Sequence, residues 1–257
     1  MSATVKISLR GIKKRFGTNV VLDGVDLDIE AGKSTVIIGG SGTGKSVLLK
    51  CILGLLEPDA GEILFDGKPL TRRGRIEMGF YKRIGMLFQG AALFDSLPVW
   101  ENVAFGLIQG HKKPRDEAHR IAIEMIRKVG LSASVGDLSP AELSGGMQKR
   151  VGLARAIAAF PEVIFFDEPT TGLDPIMADV INQLIIERVQ EIGATAVSIT
   201  HDMFSAGRIG DTTAMIYKGK IIWEGPSKSI RDSGNPFVDQ FISGRAEGPI
   251  ELEVLKP

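Results

Sequence analysis

The chain has 257 residues, with 31 basic and 31 acidic side chains and 44% hydrophobic residues. That length and apolar content suit one packed unit, and the zero net charge offers no global field for nucleic acid or an anionic membrane. The single cysteine, Cys51, excludes an intrachain disulfide, and no apolar run approaches the ~20 residues of a membrane span. With no secretory h-region in MSATVKISLR, a reducing, cytoplasmic setting is expected.

Val5 to Ile29 alternates apolar and polar residues around two turn signals, Gly17-Thr18-Asn19 and Asp23-Gly24, which predicts short antiparallel strands. Thr35 to Ile38 is a continuous apolar run, as expected of a strand buried on both faces. The segment after it, Gly39-Gly40-Ser41-Gly42-Thr43-Gly44-Lys45-Ser46, matches G-x-x-x-x-G-K-[ST] and precedes an apolar helix expected over Val47 to Leu56. Glycines there let successive N–H groups turn inward onto phosphate oxygens, and the helix N-terminus adds a partial positive charge. Lys45 is then expected to reach the β and γ phosphates, and Ser46 to offer its hydroxyl to Mg²⁺.

Gly61 to Leu70 reads as a hairpin and Ile84 to Phe88 as a second buried strand. From about 97 to 160 the pattern is purely helical, clearest in Glu117 to Val129, and predicts an inserted helical lobe. Val163 to Glu168 (VIFFDE) places two carboxylates after four apolar residues, and ligands of open α/β sheets sit at the carboxyl ends of strands. Asp167 is thus expected to hold Mg²⁺ and Glu168 to polarise an attacking water. A further strand is expected over Ala196 to Thr200 and a hairpin over Ala214 to Trp223. Helices follow near Pro226 to Asp232 and Pro236 to Ile242. The last residues, EGPIELEVLKP, have no helical period and are expected to need a partner to become ordered.

This alternation predicts an α/β fold: a parallel sheet with helices on both faces and a small antiparallel sheet beside it. A phosphate loop and a strand-end carboxylate are common to many nucleotide hydrolases. What narrows the class is Leu143 to Lys149, LSGGMQK, which resembles the signature motif of the ABC transporter ATPase family. Gln89 is similar to that family's Q-loop glutamine, Thr171-Gly172-Leu173-Asp174 to its D-loop and His201 to its switch histidine. Phe16 stands where the family stacks a ring on adenine. The resemblance runs from Phe16 to about Glu224, with the motifs in the family's order.

The resemblance implies a P-loop NTPase core of RecA-like type with an antiparallel β subdomain and an inserted α-helical subdomain, all within one nucleotide-binding domain over 1–257. Its C-terminal hairpin, helices and tail would span about 212–257. It implies ATP and Mg²⁺ as cofactors, with the metal held by Ser46, Gln89 and Asp167. It implies catalysis by Lys45, Gln89, Glu168 and His201, and nucleotide contacts from Phe16, the loop Gly39 to Gly44, Lys45, Ser46, Val47, Ser144, Gly145, Gly146 and Asp174. Two subunits would pair head to tail, each signature closing the other's ATP. One residue departs from the commonest family form: Met147 stands where glutamine is usual.

Leu87 to Phe105, LSGGMQKR and Phe237 to Pro249 resemble the ATPases of Mla-type phospholipid transporters, which work with MCE-domain proteins. That implies a location on the cytoplasmic face of the inner membrane. The implied partners are an integral membrane permease dimer, a periplasmic MCE lipid-binding protein and a small cytoplasmic regulatory subunit, with no nucleic acid. Ser96 to Leu107, with Trp100 and Phe105, is read either as the rim of a permease groove or as plain packing of the helical lobe. A small-solute importer ATPase shares the same catalytic residues and stays open as an alternative. A soluble ABC ATPase acting on nucleic acid or ribosomes is disfavoured by the balanced charge and by the absence of a second phosphate loop.

Overall fold

The computed structural model describes residues 4–72, 75–76 and 79–251. Strands β1 (Val5–Phe16) and β2 (Asn19–Glu30) form one long antiparallel pair across the turn at Gly17-Thr18. The second expected turn, Asp23-Gly24, is a bulge inside β2: Lys13 pairs with Asp23 and Ile12 with Val25, leaving Gly24 unpaired at φ +85°. A glycine in the left-handed region serves a bulge as well as a turn, so the local signal alone did not separate them. β3 (Ser34–Ile38) leads into α1 (Lys45–Ile52), which starts two residues earlier and ends four residues sooner than expected.

β4 (Ala60–Phe65) and β5 (Lys68–Pro69) make the expected hairpin across Asp66-Gly67, both at positive φ as a tight hairpin turn requires. The strand order β2-β1-β4-β5 completes the small antiparallel sheet. Two further short strands, β6 (Thr71–Arg72) and β7 (Arg75–Ile76), pair with each other and had no sequence signal. β8 (Ile84–Leu87) precedes the helical lobe, which holds α2 (Val99–Phe105), a π-turn over Gly106–Gly110, α3 (Arg115–Lys128) and α4 (Gly145–Ile157). β9 (Val163–Asp167), α5 (Pro175–Ile192), β10 (Thr195–Thr200), α6 (Met203–Ile209), β11 (Thr212–Tyr217), β12 (Lys220–Pro226) and α7 (Pro236–Ser243) follow. Ser227–Asp232 is a 3-10 turn.

The six-stranded sheet has the order β12-β11-β3-β10-β9-β8, and β3, β8, β9, β10 and β11 run parallel. Its strands separate two cores by simple alternation. Val36, Ile38, Ile164 and Phe166 face the helical side, while Ile37, Val163, Phe165 and Ile199 face α1 and the antiparallel sheet. Burying a side chain of this size is worth ~1.5–3 kcal/mol, so a one-residue register slip would exchange the two faces at large cost. The helical lobe joins at edge strand β8. Gly152 of α4 lies so near Leu87 that an added Cβ would stand 2.6 Å from its Cδ1, and a Cβ on Gly85 would meet the Ala156 carbonyl at 2.0 Å.

In the C-terminal stretch the Gln240 amide accepts from Ile250 N at 2.6 Å and donates toward the carbonyls of Arg245, Ala246 and Ile250. The remainder of the expected tail, 252–257, lies outside the described residues.

Candidate nucleotide site

The strand order decides which residues meet. Because β10 lies between β3 and β9, the carboxyl edge presents the phosphate loop, His201, Asp167-Glu168 and then the Gln89 segment, in that spatial order. Gly39, Gly40, Ser41, Gly42, Thr43 and Gly44 form the loop from β3 into α1. Gly44 has φ +106°, and a Cβ there would stand 2.9 Å from the Val21 carbonyl, so both conformation and space demand glycine. Thr43 Oγ1 donates to the Gly40 carbonyl at 2.8 Å and braces the turn.

The first turn of α1, Lys45, Ser46 and Val47, has no side-chain cap and no acidic residue. Its N–H groups therefore keep their capacity for an anion, as a phosphate cradle needs. Lys45 is only 8% exposed, and its Nζ donates to the carbonyls of Gly39 at 2.7 Å and Gly40 at 2.9 Å. Burial lowers its pKa, opposed by the charges of Glu168 and Asp167. An ammonium parked on loop carbonyls can transfer to phosphate oxygens with a large electrostatic gain. Ser46 is exposed at the loop's mouth.

Asp167 ends β9 with its pKa raised, first by burial and then by the adjacent Glu168 charge. A desolvated carboxylate suits a divalent cation, which would remove that penalty. Glu168 sits at φ +48° and is 8% exposed. Its Oε1 lies 2.9 Å from His201 Nδ1, and its Oε2 accepts from Thr171 Oγ1 at 3.1 Å and Thr200 Oγ1 at 3.3 Å. A carboxylate so fixed, at a strand end and next to an exposed imidazole, is equipped to accept a proton from water.

Gln89 follows β8 and is exposed, while its carbonyl accepts from Lys149 Nζ. Phe16 ends β1, 50% exposed, with Lys14 Nζ 5.8 Å from its ring centroid. Asp174 caps α5: its Oδ1 accepts from Ile176 N and Met177 N, each at 3.0 Å. Ser144 caps α4, its Oγ accepting from Met147 N at 3.3 Å, so that helix begins at Gly145. Among the described residues no hydrogen bond joins Ser144, Gly145 or Gly146 to the phosphate loop. Their near neighbour is Met177, 2.8 Å from a Cβ built on Gly146.

For three residues beside Glu168 the sequence had suggested no contact with it. Thr171 and Thr200 hold Glu168, and Lys149 reaches across from α4 to the Gln89 and Glu168 carbonyls. The signal for Lys149 was its place on the buried stripe Gly146, Lys149, Gly152, where a charge is out of keeping. Of the two readings left open for Ser96 to Leu107, Trp100 follows lobe packing, 4.8 Å from His119 and 5.0 Å from Arg115. Phe105 does line a groove, of about 250 Å³, together with Tyr81, Phe88 and Arg155. A separate cavity of about 500 Å³, between α5 and α6 at the amino ends of β3 and β11, contains none of the predicted site residues.

A family model described as ABC transporter matches residues 22–171. The intermembrane phospholipid transport system ATP-binding protein MlaF of Haemophilus influenzae is 39% identical over 248 residues, covering 96% of this chain and 94% of that protein. The probable ribonucleotide transport ATP-binding protein mkl of Mycobacterium leprae is 39% identical over 253 residues, covering 98% of this chain and 73% of the relative. Among solved structures, the dimeric post-hydrolysis state of the ATP-binding cassette MJ0796 bound to ADP and phosphate superimposes with a TM-score of 0.77. It has 31% identity and covers 86% of this chain and 99% of the other. The family match over more than half of the chain, together with these relatives, shows that the chain belongs to the ABC transporter family and is an ATP-binding ATPase.

Proposed function

We propose that this chain is the ATPase subunit of a transporter that moves phospholipid between the membranes of a Gram-negative envelope. The observation that carries this reading is the likeness to MlaF along nearly the whole of both chains. Among the described residues no helix is long and apolar enough to cross a membrane, so transport requires an integral partner. The groove of Tyr81, Phe88, Phe105 and Arg155 supports a permease dimer in that role, seen from the inner membrane's cytoplasmic face. Phe88 and Phe105 are 38% and 37% exposed, and Arg155 lies 5.7 Å from the Phe88 ring, an apolar seat with a cation at its edge. A periplasmic MCE protein and a small cytoplasmic regulatory subunit complete the proposed complex.

In this reading two copies pair head to tail. The N–H groups of the phosphate loop and Lys45 hold the β and γ phosphates, Phe16 stacks on adenine, and Ser144, Gly145 and Gly146 of the second copy close the site. Asp174 lies in the loop between the two copies. Ser46, Asp167 and Gln89 would hold Mg²⁺, which would supply charge neutralisation at the phosphates. Glu168 takes the proton of the attacking water on the carboxylate lone pair that His201, Thr171 and Thr200 leave free, and His201 serves the γ-phosphate. Because Ser144 acts in the other copy's site, Ser144→Ala is expected to lower kcat about tenfold while leaving ATP binding to the isolated chain unchanged.

The test is purification of the chain from its native membrane, with copurifying proteins and lipids identified by mass spectrometry. Recovery of a permease, an MCE protein and phospholipid supports the proposal. A second reading comes from mkl, whose name assigns ribonucleotides at equal identity. ATPase stimulation of the purified complex by ribonucleotides other than ATP, and not by phospholipid vesicles, would favour it.

A further inference from the structure

Lysine is almost never fully buried unless its ammonium has partners. Lys149 is 5% exposed on the inner face of α4, the helix that Ser144 opens. Its partners are two backbone carbonyls from two different strand ends. Nζ donates to the Glu168 carbonyl at 3.2 Å and to the Gln89 carbonyl. Burial lowers the pKa of this ammonium, and the nearby charges of Asp167 and Glu168 oppose that shift.

The peptide it holds is one that needs holding. Glu168 stands at φ +48°, a conformation that L residues adopt only when their surroundings enforce it. From the strand side, Glu168 N donates to the Ile199 carbonyl at 3.0 Å, and its carboxylate is engaged by His201, Thr171 and Thr200. All four of those contacts come from β9, β10 and the loops after them. Among the described residues, Lys149 supplies the hydrogen bond that reaches Glu168 from the helical lobe.

We infer that Lys149 is a positioning residue for hydrolysis, pinning the backbones of Gln89 and Glu168 to α4 so that base and metal-site glutamine keep register with the signature helix. This deepens the proposed mechanism and rests on Glu168 as the base. Ser144 and Lys149 ride on one rigid helix, so a displacement of the lobe that seats the signature against ATP moves the Lys149 tie with it. Placement of Glu168 is thereby linked to closure of the site by the other copy.

The experiment is steady-state ATP hydrolysis by the full chain, with ATP affinity measured separately by a fluorescent ATP analogue and folding by thermal unfolding. The variants are Lys149→Met, Lys149→Arg and Glu168→Gln. A loss of alignment of under 1 Å at a catalytic group is enough for a 10- to 100-fold loss of rate. Lys149→Met is therefore expected to lose at least ~10-fold in kcat with KM and ATP affinity within ~2-fold of wild type. Lys149→Arg, whose guanidinium keeps donors for both carbonyls, is expected to recover most of that loss.

A Lys149→Met protein with kcat within ~2-fold of wild type overturns the inference, as does a rise in KM at unchanged kcat, which would mark a nucleotide-binding role. An Arg variant that recovers stability but no kcat also overturns it. If Lys149→Met does not fold, Lys149→Gln is read instead, since its amide stops short of the carbonyls, and wild-type kcat there has the same meaning. Failure of the base assignment is separate: it would show as hydrolysis retained in Glu168→Gln, whatever Lys149 does.

Discussion

The two ends of β9 use charge in opposite ways. At its amino end, Glu162 accepts from Arg83 Nε at 2.7 Å and from Lys6 Nζ at 2.6 Å, and Arg83 and Lys6 also bind Asp66. The Arg83 guanidinium, with Lys6, holds the Glu162 carboxyl down at about 2. At its carboxyl end, Asp167 is raised by burial and by Glu168, while Lys45 and Lys149 are lowered by burial. One end is arranged so that ionisation favours the fold. The other keeps ionised groups in an environment that penalises them, which is the signature of a site waiting for charged ligands rather than of a structural network.

Substitutions at the two ends should separate activity from stability. The largest effect is expected for Glu168→Gln, which removes the proton acceptor: a loss of ~10²–10⁴ in kcat with ATP binding retained, measured by hydrolysis and by nucleotide titration. An intermediate effect is expected for Asp167→Asn in metal-free buffer. It removes a desolvated charge, so urea unfolding at neutral pH should show stability unchanged or raised, even as Mg²⁺-dependent hydrolysis falls. A clear destabilisation there would break the contrast between the two ends.

The smallest effect belongs to Glu162→Gln. The folded-state pKa of Glu162 lies below its ordinary value, so its contribution is present above about pH 4.5 and fades as pH falls toward 2. The side chain is 46% exposed and solvent screening is strong, so the expected loss at pH 7 is only ~0.2–1 kcal/mol. The variant should keep full ATPase activity and show a flatter acid limb in its stability profile. Loss of hydrolysis in this variant would mean that the amino end is coupled to the site.

Much of this was legible because the informative segments are local. The phosphate loop is contiguous, and its glycines, lysine and helix start are dictated within a few bonds of one another, so Gly39 to Val47 could be read directly. The buried strands were legible for a similar reason, since a run such as Val163 to Phe166 has no polar face to offer water. Errors arose where one residue type serves two geometries. Gly24 reads as a turn and is a bulge. Trp100 was open to two readings, groove rim or lobe packing, and its contact with His119 in the lobe follows the second.

The sequence by itself determined the class of chemistry: a phosphate cradle, two strand-end acids and a capped signature helix in an order that fits an ABC ATPase. Tertiary structure decided the partnerships. His201 and Glu168 lie 2.9 Å apart because β10 is inserted next to β9, and Lys149 reaches Gln89 and Glu168 because α4 packs on edge strand β8. The sequence hints that Lys149 is buried but names the partners in neither pairing, because hydrogen bonds depend on distance in space, and these residues are 19 to 60 positions apart in the chain.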